Sequence, residues 1–202
     1  NEGATGGPRI QIVTASCGVE AWLVEDHNLP LLALEFAVMA GSANDPAGAA
    51  GAANLIAGLM DEGAGDMDAE AFQNALADRA IDLSFSADRD DLRGSLRTLS
   101  KHKAEAFRLL ALALQKPRFD EDAVGRVKGQ VSAGLRREQQ DPDAVCRIAF
   151  GAEAFGGHPY AMPARGTLES VAAIEPETLR SHAASLFTRA ALRIVAVGDI
   201  TP

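Results

Sequence analysis

Side chains able to hold a metal ion or act as a nucleophile are few and scattered in this 202-residue chain. Histidine ligates metals and exchanges protons near neutral pH; the four present are His27, His102, His158 and His182. No two of them have the short spacing that sets two imidazoles on one helix face or one turn. His27, His102 and His182 read as surface residues. His158, before Pro159-Tyr160, reads as a turn residue whose ring ties down a loop. Cys17 and Cys146 are too few and too far apart for a disulfide framework or a thiolate metal site, and read as ordinary, partly buried thiols. Ser95 and Ser181 lie outside any strand–turn–helix context that exposes a serine nucleophile. Gly63-Ala64-Gly65 has the glycines of a phosphate loop, but Asp61, Glu62 and Asp66 surround it and would repel phosphate.

The elements that would position these residues follow from periodicity. Residues 1–8 read as a flexible leader and residues 9–202 as a single domain. Residues 9–13 and 19–25 are β-prone runs split by Ser16-Cys17-Gly18, the signature of a hairpin. Residues 31–39 alternate, with Leu32, Leu34, Phe36 and Val38 on one face. Residues 47–60 form a helix of small and apolar residues, and a second helix runs over 68–79 with Asp68 as its N-cap. The alternations at 81–87 and 92–99 pair as antiparallel strands about Asp88-Arg89-Asp90-Asp91. Helices follow over 104–115, with Phe107, Leu110, Ala111 and Leu114 as its apolar stripe, and over 120–139, with Val124, Val127, Val131 and Leu135. Two more cover 142–155 and 176–187, and residues 192–197 are a closing strand. Strands, then helices, then a strand predict an α+β fold in which helices cover one sheet.

Composition narrows the function classes. An apolar fraction of 47% supports a core. A formal charge of −9 with no run of Lys and Arg argues against nucleic acid as a partner, because phosphate binding needs a basic footprint. The longest nearly uncharged apolar segment, residues 47–60, is too short and too rich in Ala and Gly to span a membrane.

That segment also carries the resemblance. It reads Gly51-Ala52-Ala53-Asn54-Leu55-Ile56-Ala57-Gly58-Leu59-Met60 and stops at Asp61-Glu62-Gly63. Around it, in order, stand Gly41-Ser42 with Pro46, Phe119-Asp120, Asp141-Pro142, His158-Pro159-Tyr160 with Gly166-Thr167, and Val197-Gly198-Asp199. In this ordered set the chain resembles the M16 zinc peptidases (pitrilysin and the mitochondrial processing peptidases) from about Ile10 to Ile200. The resemblance implies a LuxS/MPP-like two-layer domain with a mixed, mostly antiparallel sheet covered by helices. It also implies a second, similar domain after Pro202.

In that family the helix carries His-x-x-Glu-His, and a Glu on a later helix completes the zinc site. The matching positions here are Asn54, Ala57 and Gly58, and, counting back from Asp141-Pro142, Leu135. An amide, a methyl group, a hydrogen and an isobutyl group supply neither three zinc ligands nor a general base. Helical spacing puts Asp61 and Glu62 past the vacated face, and Glu138 nearly a turn beyond Leu135, facing water. The resemblance thus implies a non-catalytic subunit, bacterial, in the periplasm or else the cytoplasm. Its partner would be an M16 peptidase chain bearing His-x-x-Glu-His, with zinc only in that partner and a peptide substrate shared between them. Leu83-Ser84-Phe85-Ser86-Ala87 falls at the family's substrate-side strand, where an ordinary core strand is the other reading. Two alternatives stay open: a structural or assembly subunit on the same fold, and an active metallopeptidase with non-standard ligands.

Overall fold

A computed structural model describes residues 9–188 and 191–202; the expected leader, residues 1–8, lies outside the described residues. Six strands form one sheet in the order β1-β2-β6-β3-β5-β4. They are β1 (Gln11–Thr14), β2 (Glu20–Glu25), β3 (Leu31–Val38), β4 (Asp82–Ala87), β5 (Leu92–Leu99) and β6 (Leu192–Gly198). Only β2 and β6 pair in parallel. The sheet is therefore mixed and mostly antiparallel, with β1 and β4 as its edges.

The alternation expected of β3 holds: Leu32, Leu34, Phe36 and Val38 are all buried. Opposite them, Leu92 and Leu96 of β5 and Leu83 of β4 face the same side. Gly94 lies across from Phe36, and a β-carbon there would come 2.3 Å from the Phe36 ring. The other side of the sheet leaves Ile12, Trp22, Leu31, Val195 and Val197 exposed.

Among the described residues seven α-helices complete the fold: α1 (Ala52–Ala57), α2 (Ala69–Ala77), α3 (Lys103–Gln115), α4 (Glu121–Glu138), α5 (Pro142–Phe155), α6 (Leu168–Ala173) and α7 (Pro176–Leu186). Their starts carry the expected signals. Asp68 accepts from the Ala71 amide at 2.9 Å, Asp141 from that of Asp143 at 3.1 Å, and Thr167 and Ser170 cap α6 reciprocally. Along α4 the buried stripe is Val124, Val127, Val131 and Leu135, as its spacing predicts.

Four expectations need correction. The helix over 47–60 shrinks to α1, because Gly48 and Gly51 take positive φ (81° and 94°) and break the turns before it. On α3 the buried stripe is Ala106, Leu109, Leu110 and Ala113. The two alanines let the helix lie close to β5, and Phe107 and Leu114 are left at its flanks, half-buried. Cys17, in the β1–β2 turn, and Cys146, on the side of α5 away from its buried Ala144 and Gly151, are exposed thiols rather than partly buried ones. His182 is no surface residue: it lies on the buried face of α7 with Leu179, Ala183 and Leu186.

Candidate functional site

α1 lies on β4 and β5, crosses α4 and is covered by α7. At its exposed end it borders a pocket of about 290 Å³. Asn54, Ala57 and Gly58 line this pocket from α1, and Phe85, Ser86 and Ala87 line it from β4. Val127, Gln130 and Val131 close it from α4, and Arg165 from the loop before α6. Three of the four positions expected to match the family's zinc motif (two ligands and the general base) thus meet at one place, beside the expected substrate-side strand. Leu135 is not among them; it lies one turn beyond Val131, buried in the core.

The donors of this pocket do not fit a catalytic zinc. Zinc requires three strong protein ligands and an open position, whereas Asn54 offers an amide and Ala57 and Gly58 offer nothing. Among the described residues no three His, Cys, Asp or Glu side chains cluster closely enough to hold a metal. Space is short as well: a β-carbon at position 58 would sit 3.1 Å from Val127 Cγ1. Asp61 and Glu62 lie off the pocket. The Asp61 carboxyl, pushed above its ordinary pKa by burial, accepts from Gln73 Nε2 at 3.3 Å, and Glu62 binds Arg126 at 2.5 Å.

Glu138, expected to face water, is about one-third exposed and pairs with Arg165 at 2.5 Å. The reason lies on α4. Gly134 leaves the helix flat, and a β-carbon there would come 2.7 Å from Arg165 Nη2, so any other residue at 134 would push the guanidinium aside. The backbone carrying Arg165 is equally confined. β-Carbons at Gly51 and Gly166 would fall 2.6 Å from the Arg165 carbonyl oxygen and 2.2 Å from that of Ala50, and Ser170 Oγ donates to Ala50 at 2.8 Å.

Asp45 fixes the other end of α1. Its carboxylate accepts from the Gly51 amide at 2.7 Å and the Ala53 amide at 2.8 Å, satisfying two donors that a helix start leaves open. His182 Nε2 lies 3.3 Å from Asp45 Oδ1, both side chains almost wholly buried. The contact is ionic in distance but not aligned as a hydrogen bond. The His158 ring behaves as expected of a turn residue: Nδ1 accepts from the Tyr160 amide at 3.2 Å. Tyr160 in turn donates its hydroxyl to Asp90 at 2.5 Å, which raises the phenol's pKa, and Arg89 donates to the Tyr160 and Met162 carbonyls at 2.7 and 2.9 Å. The β4–β5 turn is thereby tied to the His-Pro-Tyr turn. The other two histidines differ from each other: His27 is exposed, between Asp199 and Glu25, and His102 is half-buried.

Sequence reasoning misses Arg165 and Asp45 and places His182 on the surface. Arg165 did carry a signal, as a lone charge in Ala161-Met162-Pro163-Ala164-Arg165-Gly166. So did Asp45, an acid with Pro46 ahead of a helix. His182 carried none, because its partner lies 137 positions away (182 − 45).

The family model for insulinase-type peptidases, peptidase family M16, matches residues 22–168. The chain belongs to the M16 family. A Helicobacter pylori protein named non-peptidase homolog YmxG is 30% identical over 176 residues, which is 87% of this chain and 41% of that protein. The crystal structure of a peptidase M16 inactive domain from Pseudomonas fluorescens superposes with a TM-score of 0.89 at 28% identity, over 96% of this chain and 47% of that one. Pitrilysin shares the fold, with a TM-score of 0.83 at 17% identity over all of this chain and 22% of its own. The chain thus spans less than half the length of each of these relatives. Among its described residues no helix is long and apolar enough to cross a membrane.

Proposed function

We propose that this chain is a non-catalytic M16 domain that helps hold a peptide for an M16 chain bearing His-x-x-Glu-His. The observation that carries the reading is the pocket itself. Asn54, Ala57 and Gly58, the residues we match to the family's zinc motif, line it together beside β4, and they present an amide, a methyl group and a hydrogen. The names of two relatives, a non-peptidase homolog and an inactive domain, agree with it.

What the chain can offer a peptide is an edge. β4 ends the sheet, so its outer backbone groups have no strand partner among the described residues. A peptide adding there takes its affinity from main-chain hydrogen bonds. Leu83, buried, and Phe85, half-buried, hold the strand to the core, while Ser84 and Ser86 are exposed. In this role zinc and the general base belong to the partner chain, and this chain supplies a wall of the enclosure.

The test is hydrolysis of an unstructured peptide by the full-length protein, alone and mixed with a His-x-x-Glu-His chain of the same organism. The protein alone is expected to be inactive, and the mixture to exceed the metal-bearing chain by about tenfold, the rate equivalent of roughly 1.4 kcal/mol. Hydrolysis by this chain alone, abolished by a chelator, would contradict the reading.

A further inference from the structure

Arg165 is the one charged residue among the described residues that line the pocket. A metal cation brought there would meet a fixed positive charge, whereas an anion would find a guanidinium and the amide groups of Asn54 and Gln130. Glu138 engages Nη1 only. The remaining guanidinium N–H groups have no acceptor among the described residues, and guanidinium offers five donors in a fork that matches a carboxylate. Gly134 leaves room beside the guanidinium, and the close approaches at Gly51 and Gly166 fix the backbone that carries it.

We propose that the pocket at the vacated metal position accepts a carboxylate carried by a peptide lying along β4, with Arg165 as its cationic contact. The inference rests on the reading of β4 as a peptide-holding edge. Phe85, Ser86 and Ala87 belong both to that edge strand and to the pocket wall, so a strand added beside β4 runs past the pocket mouth. A volume of about 290 Å³ suits one acidic side chain or a chain terminus rather than a large ligand. Glu138 sets the strength. As the counter-charge of Arg165 it competes with the incoming carboxylate, so removing its charge favours binding.

The probes are heptapeptides of alternating Thr and Val, labelled with a fluorophore and amidated at the C-terminus, in which a single Glu or Gln is moved along the sequence. A further peptide with Gln and a free C-terminus separates a terminal carboxylate from a side-chain one. Binding to the full chain is read by fluorescence anisotropy. At one placement, or at the free terminus, the carboxylate peptide is expected to bind about fivefold more tightly than its neutral counterpart, the scale of a partly exposed ion pair. Arg165→Met is expected to bring that ratio to about one, and Glu138→Gln to raise it. Equal binding of acidic and neutral peptides, or a preference that survives Arg165→Met, overturns the carboxylate site and leaves the edge reading standing. Failure of every peptide to bind overturns both.

Discussion

Asp45→Ala is expected to lower the stability of the chain by ~3–5 kcal/mol, chiefly from two buried backbone donors left without an acceptor. Two separate losses combine. The Gly51 and Ala53 amides lose the only side-chain acceptors they have among the described residues, and each orphaned buried donor costs about 1–3 kcal/mol. His182, 5% exposed at its side chain, is left without the carboxylate that faces it. The loss falls on the start of α1, the helix that carries Asn54, Ala57 and Gly58. Urea unfolding checks this through the transition midpoint, with Asp122→Ala as control. Asp122 is 79% exposed at its side chain, and its pairing with Arg126 is a surface one, expected to matter by less than ~0.5 kcal/mol. An Asp45→Ala protein as stable as the control would mean that Asp45 does not hold this site together.

Gly166→Ala carries the second large effect, about 3 kcal/mol, from left-handed backbone strain and overpacking together. Gly166 has a φ of +76°, and the added β-carbon would meet the Ala50 carbonyl oxygen at 2.2 Å and Ser170 Oγ at 2.8 Å. Neither neighbour yields easily: one is backbone at the approach to α1, and the other holds the capping box of α6. Gly18 separates the two contributions. Its φ is +84°, close to that of Gly166, but a β-carbon added there would have no atom within 4 Å, so Gly18→Ala is expected to cost only ~1 kcal/mol. Thermal unfolding of the pair reads the difference directly. Equal losses would mean that the loop bearing Arg165 is not clamped to α1.

The sheet and the long helices are legible in the sequence because their signals are local. Strand β3 alternates over eight residues, and α4 repeats Val124, Val127, Val131 and Leu135 at helical spacing. Where the sequence misleads, the deciding term is not local. The run 47–60 is apolar enough for a full helix, but Gly51 is held in a left-handed conformation against the Arg165 carbonyl, a contact that no window of sequence contains. On α3, close approach to the sheet favours the alanine side over the side with Phe107 and Leu114, although the latter is more apolar. The site divides in the same way. Asn54, Ala57 and Gly58 share one helical segment and are legible together, with the β4 segment beside them. Leu135, placed by counting along a single helix, lies in the core while Val127 and Val131 face the pocket. Arg165, the residue that gives the pocket its charge, reaches it across the chain through contacts with Gly134 and Glu138.

The proposed role requires that this chain work beside an M16 chain that has a metal site. The most direct measurement of this is affinity purification of the full-length protein from its native cells, followed by mass spectrometry of whatever remains bound in stoichiometric amount. The expected result is an M16 chain carrying His-x-x-Glu-His, present at about one copy per copy of this protein. Recovery of the protein with no such chain, from cells that express one, would contradict the pairing and favour a scaffold role for the same fold.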